Sequence, residues 1–194
     1  LAIRYSHPEW LVQRYLSRYG LDATRQLMKH NNKEPEHFLW VNPFQFDVRD
    51  LCRSLEDNGF PCQPVNSLPN CLRTSAALSG HPLYKRGCGI FIDISSQWVA
   101  NLPDLSNCSR AGDLCAAPGG KSFILASRLP LGGRLVASDV SISRILSMRQ
   151  RVLKLGIPDV SLQVMDLNQN CFSEEIFDFV LLDVPCSGLG TLSS

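Results

Sequence analysis

The chain has 194 residues, a length that holds one or two ordinary domains. Hydrophobic residues make up 44% of it and charged residues 19%, which excludes a disordered chain. The formal net charge is +1, with nine Lys/Arg against eight Asp/Glu in residues 1–73 and ten against ten in 74–194. No global basic character marks a nucleic-acid partner, so any RNA surface must be a local patch.

Nothing approaches the roughly 18 consecutive apolar residues of a membrane span. The opening Leu1-Ala2-Ile3-Arg4 has neither a signal-peptide apolar core nor an initiator Met, so a fragment is expected. Eight cysteines stand at Cys52, Cys62, Cys71, Cys88, Cys108, Cys115, Cys171 and Cys186, and no two form a C-x-x-C pair. That spacing argues against a zinc ribbon, and no metal is expected. Thiols of this kind are expected to be reduced and mostly buried, in an intracellular, cytoplasmic protein.

In chain order, residues 1–30 read as a helical segment. Ser6 reads as an N-cap, and Trp10, Leu11, Tyr15, Leu16 and Tyr19 recur at helical spacing until Gly20. A second short helix spans Asp22 to His30. Residues 31–85 read as a small α+β domain: a strand over Phe38 to Asn42, then a helix over Asp47 to Asn58 with Gly59 at its stop. Short strands and turns follow at Pro69-Asn70 and Gly80-His81-Pro82. Residues 86–194 form the third segment. Ile90 to Asp93 is a short strand and Ser95 to Leu102 a helix.

From about residue 110 strands and helices alternate. Strands are expected to end at Gly112 to Cys115 and to run over Arg134 to Asp139, Val160 to Met165 and Phe177 to Asp183. Helices are expected over Lys121 to Leu129 and Ser141 to Leu155, the latter stopped by Gly156. The nearly continuous apolar run from Phe177 predicts a strand buried on both faces of a parallel sheet. The fold class is therefore α/β, a Rossmann-like doubly wound sheet with its first four strands, preceded by a small α+β domain.

Ligands of such sheets bind outside the carboxyl ends of the strands. The loop Cys115, Ala116, Ala117, Pro118, Gly119, Gly120, Lys121 follows the first strand. Asp139 ends the second, Asp166 follows the third, and Asp183-Val184-Pro185-Cys186 ends the fourth. Any one of these acids alone reads as a turn residue. Acids at successive strand ends form a line along one rim, which a turn explanation does not predict.

Ala116, Ala117, Gly119 and Gly120 let a ligand approach the backbone closely, and the next helix offers free N–H groups. Lys121 stands where the helix dipole disfavours a cation, so it needs a carboxylate of the ligand or of a neighbouring strand. An ordinary surface lysine is the plainer reading. Gly120-Lys121-Ser122 is the tail of a phosphate-binding loop, but Cys115 stands where that motif needs Gly, and G-x-G-x-x-G is absent. S-adenosylmethionine fits such a loop, being nucleotide-like without phosphate. Asp139, about twenty residues on, suits paired ribose hydroxyls. Asp166 suits a place beside the adenine, and Asp183 faces the methyl-donor end or the target base.

Pro185-Cys186 is the sharpest feature. Carbon-5 of cytosine takes a methyl group only after a thiolate has attacked carbon-6; loss of the carbon-5 proton and β-elimination then free the product. A lone cysteine is more often a small buried hydrophobe. Beside Asp183 on the ligand rim, Cys186 reads as catalytic.

At these residues the sequence resembles the Nop/Sun (RsmB-like) family of S-adenosylmethionine-dependent RNA (cytosine-5) methyltransferases. The strings Asp-Leu-Cys-Ala-Ala-Pro-Gly-Gly-Lys-Ser at 113–122 and Leu-Leu-Asp-Val-Pro-Cys-Ser-Gly-Leu-Gly-Thr at 181–191 carry the likeness. It extends to Ser6 through Leu11, to Trp40-Val41-Asn42 and to Gly89 through Gln97. The resemblance implies a class I methyltransferase domain behind a small RNA-recognition-like domain, acting on RNA, in particular ribosomal RNA, as a monomer. It also implies that residues 115–121, Asp139, Asp166 and Asp183 contact S-adenosylmethionine. Arg144 matches a family arginine after the second strand; a solvated helix face is its plainer reading.

The family's Pro-Cys cysteine, here Cys186, assists product release, and the attacking thiolate comes from a later Thr-Cys motif. No Thr-Cys occurs in this sequence. Ile92 replaces the usual Gln before Asp93, and residues 192–194 no longer follow the family. The sequence leaves two alternatives: a DNA cytosine-5 methyltransferase with Cys186 as nucleophile, or a non-catalytic RNA-binding protein that keeps the fold. These residues alone are expected to be poorly soluble and inactive, because a buried-type sheet edge lacks its neighbour.

Overall fold

A computed structural model of the chain describes residues 1–169 and 176–185. The described residues fall into two compact units, 1–35 and 36–185. In the first, α1 (Ala2–Tyr5) leads into α2 (Glu9–Asn31), whose backbone is non-helical at Gly20 (φ 74°). Ser6 is not the N-cap expected of it. It takes the left-handed conformation that closes α1, and the Pro8 carbonyl accepts the first bonds of α2 from Leu11 and Val12. Proline, with its fixed φ, sets this start better than the hydroxyl two residues upstream. His7 is fastened by Tyr5 and by Asn31, whose Nδ2 lies 3.2 Å from its Nε2.

The second unit opens with an antiparallel sheet. Its strands are β1 (His37–Val41), β2 (Cys62–Pro64), β3 (Cys71–Thr74) and β4 (Gly89–Phe91), in the order β2-β3-β1-β4. Trp40 pairs with Cys71 on one side and Ile90 on the other, which puts β1 in the middle. Between β1 and β2 lies α3 (Val48–Asp57). Asp47 caps it, accepting from the amides of Arg49 and Asp50, and its apolar face buries Leu51, Cys52 and Leu55. A 3-10 turn (Ala76–Gly80) and α4 (Pro82–Lys85) stand where a second full helix would complete the βαββαβ pattern. Because β4 belongs to this sheet, the sheet extends past residue 85, where the sequence reading ended the small domain.

Cys52 on α3 and Cys62 on β2 are joined in a disulfide, with their Cα atoms 5.8 Å apart. This corrects the expectation that all the thiols are reduced. The chain returns from α3 directly into β2 beneath it, which brings two cysteines ten residues apart within bridging distance. Cys71, Cys88 and Cys108 are free and buried.

After β4, α5 (Ile94–Asn101) is capped by Asp93. The second sheet then alternates strand and helix: β5 (Arg110–Asp113), α6 (Gly120–Arg128), β6 (Arg134–Asp139), α7 (Ile142–Leu155), β7 (Val160–Val164) and β8 (Phe179–Leu181). All pairs are parallel and the order is β7-β6-β5-β8. This is the expected α/β architecture, a Rossmann-like sheet behind a small α+β domain. Parallel register places Asp113, Asp139 and the segments leaving β7 and β8 along one edge of the sheet.

Two apolar cores form: Leu39, Val41, Leu51, Leu55 and Leu72 build one between the first sheet and α3, and a second lies under the parallel sheet. Phe123, Ile124 and Leu125 of α6 and Met148 of α7 pack with Leu135 and Ala137 of β6, and Trp40 of the first sheet joins them. Each of the Phe, Leu, Ile and Met side chains contributes about 1.5–3 kcal/mol on burial. A polar rivet reinforces the junction. Leu155, last in α7, has a carbonyl with no further helical turn to bond it, and it accepts from Asn42 Nδ2 at 2.7 Å and Gln45 Nε2 at 2.9 Å.

The run from Phe177 to Asp183 departs from expectation. Its strand is only Phe179–Leu181, and Val180, Leu182 and Val184 are exposed. β8 lies at the end of the sheet order and pairs with β5 alone among the described residues, so its apolar sequence does not translate into burial on both faces. No described helix is long and apolar enough to cross a membrane.

Candidate functional site

The loop between β5 and α6 is held by its neighbours. The Leu114 amide donates to Leu181 O at 3.1 Å, the Ala116 amide to Ser138 O at 2.8 Å, and Ser138 Oγ to Leu114 O at 3.2 Å. The Gly119 amide then closes a turn on Ala116 O at 2.8 Å, and Gly119 O accepts the first bond of α6 from Phe123. Gly119 sits at φ 102°, and a Cβ there would lie 2.5 Å from the buried Phe123 ring. Only glycine serves both the left-handed turn and the contact beneath it.

Acids converge on this loop. Asp113, at the tip of β5, is 1% exposed. Ser122 Oγ donates to its Oδ2 at 2.6 Å, and its Oδ1 has no hydrogen-bond partner among the described residues. Burial pushes its pKa up to about 6; Asp183 adds to the rise, while Ser122, Lys121 and the Cys115 amide oppose it. Lys121 Nζ lies 2.6 Å from Asp183 Oδ2, so the lysine at the helix start meets a carboxylate of the neighbouring strand. Asp139 is buried. Its Oδ1 accepts from the Ser141 amide at 3.0 Å, and its Oδ2 is 3.2 Å from Arg144 Nη1.

Arg144 is more than a solvated helix face, since its Nη2 donates to Ala117 O at 2.6 Å. Two helical turns on, Arg151 donates to Pro118 O at 3.3 Å. Helix α7 thus holds two successive carbonyls of the loop. Asp166 Oδ1 accepts from the amide and side chain of Asn168, as a turn residue does.

A cavity of about 250 Å³ opens over the loop. Its wall brings together Cys115, Ala116, Ala117, Pro118, Gly120, Lys121 and Asp183, and adds Asp113, Ile92, Ser96 and Arg151. Gly119, Asp139, Arg144 and Asp166 lie outside that wall. The Cys115 thiol is held above its ordinary pKa, chiefly by burial and then by the charges of Asp139, Asp113 and Asp183. It is therefore a poor thiolate at neutral pH. Cys186 lies outside the described residues. No group of three or more His, Cys, Asp or Glu among the described residues is placed to hold a metal ion.

The residues present fit S-adenosylmethionine. Its ammonium and sulfonium are cations, and the buried Asp113 Oδ1 lacks a donor. Asp183 is already paired with Lys121, so a phosphate would meet the buried carboxylate of Asp113, which needs a donor and not another acceptor. Sequence reasoning passed over Asp113, although the strand-end rule that selected Asp139 and Asp183 applies to it equally. Ser122 was absorbed into the phosphate-loop comparison, and Arg151 gave no local signal.

The arrangement has relatives. Residues 102–194 match the family described as 16S rRNA methyltransferase RsmB/F, and residues 7–79 match its ferredoxin-like domain. A probable ribosomal RNA small subunit methyltransferase B of Synechocystis sp. is 31% identical over 197 residues, covering 99% of this chain and 44% of its own. Its counterpart in Bacillus subtilis is 28% identical over 195 residues, with 99% and 44% covered. The chain thus spans about 44% of the length of these curated relatives. Among solved structures, a methyltransferase homolog protein from Pyrococcus horikoshii superimposes with a TM-score of 0.81 at 25% identity, over 98% of this chain and 63% of that one. NSun6 from the same organism, solved with SFG, gives 0.80 at 18% identity over 94% and 71%, a likeness of fold.

Proposed function

The chain belongs to the RsmB/F family of 16S rRNA methyltransferases, and from that premise we propose that it forms the cofactor-binding part of an RNA (cytosine-5) methyltransferase. S-adenosylmethionine is the cofactor, and when bound it supplies the methyl group. The observation that carries the reading is the cavity over residues 115–121, floored by a buried carboxylate with an unused oxygen. Asp113 and Asp183 take the cationic amino-acid end, Lys121 takes its carboxylate, and the small residues of the loop let the backbone lie against the ligand. Asp139 uses its remaining lone pairs for ribose hydroxyls, with Arg144 pairing it and tying it to the loop. Asp166 flanks the adenine.

On this reading the target cytosine is unpaired or flipped out, since carbon-5 and carbon-6 must be reached from the face of the ring. A thiolate adds to carbon-6, carbon-5 takes the methyl group and loses its proton, and the sulfur leaves by β-elimination. Cys186 assists that release, and a Thr-Cys cysteine makes the attack. We further propose three segments, 1–30, 31–85 with β4 added, and the methyltransferase part, in a monomeric cytoplasmic protein acting on ribosomal RNA.

The test uses a gene product that carries a Thr-Cys motif together with these residues. With Cys186→Ala, a covalent protein–RNA adduct that survives denaturation is expected to accumulate. Loss of adduct formation would instead make Cys186 the attacker and favour chemistry of the DNA cytosine-5 type.

A further inference from the structure

A second cavity, of about 170 Å³, lies next to the first and shares Ile90, Phe91 and Arg151 with it. Its remaining wall includes Tyr84 from α4 and Lys154 from α7, so the antiparallel sheet and the parallel-sheet domain both build it. The Tyr84 and Phe91 rings lie 5.4 Å apart, tilted by 36°. Lys154 Nζ stands 5.3 Å from the centre of the Tyr84 ring. No carboxylate is in the wall among the described residues.

Two cations, Arg151 and Lys154, stand in this wall. Lys85 and Arg86 follow Tyr84 and are exposed, as are Arg151 and Lys154. None of these four cations is in an ion pair among the described residues. In a chain whose formal net charge is +1, the wall itself sets two cations, Arg151 and Lys154, beside two aromatic rings and next to the cofactor cavity. Cations track a sugar-phosphate backbone, and ring faces accept unstacked bases.

We propose that this cavity is a subsite for a nucleotide of single-stranded RNA adjoining the methylation target, with its phosphate between Arg151 and Lys154 and its base against Tyr84 and Phe91. The proposal rests on the RNA methyltransferase reading and adds a location to it. Arg151, through its bond to Pro118 O, makes the RNA subsite and the cofactor loop neighbours on one side chain.

The experiment is fluorescence anisotropy of a gene product that carries these residues together with a Thr-Cys motif, with a labelled single-stranded RNA of about ten nucleotides, over a series of salt concentrations. S-adenosylmethionine is titrated in parallel by calorimetry. Lys154→Ala is expected to weaken RNA binding and to reduce the slope of log K against log salt by about 0.7, the share of one phosphate contact on a single strand. Tyr84→Leu is expected to weaken binding about tenfold with the slope unchanged. Thermal unfolding confirms that each variant is folded. S-adenosylmethionine affinity is expected to be unchanged in Lys154→Ala. Unaltered RNA affinity and slope in a folded Lys154→Ala would overturn the proposal. So would a loss of RNA binding that merely follows a loss of cofactor binding. Absence of S-adenosylmethionine binding in the unmodified chain would instead strike the functional reading beneath it, so the two failures are distinct.

Discussion

Replacing Asp113 by asparagine keeps the shape of the side chain and removes its charge. Asp113 is 1% exposed, with a pKa of about 6 against an ordinary 3.8. A folded-state pKa raised above the unfolded value means that ionisation opposes folding. Below about pH 4 both states hold the proton and nothing is lost. Between the two pKa values the unfolded chain has released a proton that the folded chain still holds, so stability falls as pH rises. Above about pH 6 the loss is complete. A gap of about two pKa units corresponds to about 3 kcal/mol. The substituted side chain carries no such penalty, and its amide oxygen still accepts from Ser122. In urea unfolding at a series of pH values, the stability of Asp113→Asn relative to the unmodified chain is expected to rise by about 3 kcal/mol between pH 4 and pH 7. The same variant is expected to bind S-adenosylmethionine more weakly, because the charged acceptor for its ammonium is lost. A stability difference that stays flat with pH would refute the reasoning.

Gly119→Ala is expected to destabilise the chain by about 2–4 kcal/mol in thermal unfolding, combining left-handed strain with overpacking against Phe123, and to abolish cofactor binding. Asn42→Ala removes the shorter of the two side-chain bonds to Leu155 O; a cost of about 1–3 kcal/mol is expected in urea unfolding, since the site is buried. Lys121→Met separates stability from binding. Its partner Asp183 is half exposed, so stability is expected to change by less than about 1 kcal/mol, while calorimetry shows a clear loss of S-adenosylmethionine affinity.

The parallel-sheet half was legible because its signals are local. Arg134–Asp139 is a strand to the residue, and Ser141 and Gly156 cap α7 at the positions their chemistry assigns. The loop of small residues and the acids at the strand ends followed from the rule for doubly wound sheets. Tertiary facts were not legible in the same way. The Cys52–Cys62 pairing depends on β2 folding back beneath α3, which no spacing motif announces. Apolarity alone placed Phe177 to Asp183 in a buried strand, although a strand paired on one side leaves Val180 and Leu182 exposed. Asp113 stood at an expected strand end without being singled out, and only the geometry exposes its unused oxygen. Arg151 and Lys154 carried no signal in the sequence, because Tyr84 and Phe91 come to lie beside them from separate elements.

The central claim is that the loop at 115–121 and the acids beside it hold S-adenosylmethionine and reject phosphate-bearing nucleotides. Its most direct test is calorimetric titration of a folded gene product that carries these residues together with a Thr-Cys motif, with S-adenosylmethionine and, separately, with ATP. Saturable one-to-one binding of S-adenosylmethionine is expected, weakened by Lys121→Met and Asp113→Asn, with no binding of ATP. A folded chain that binds ATP in its place, or that gives no heat with S-adenosylmethionine, would contradict the account.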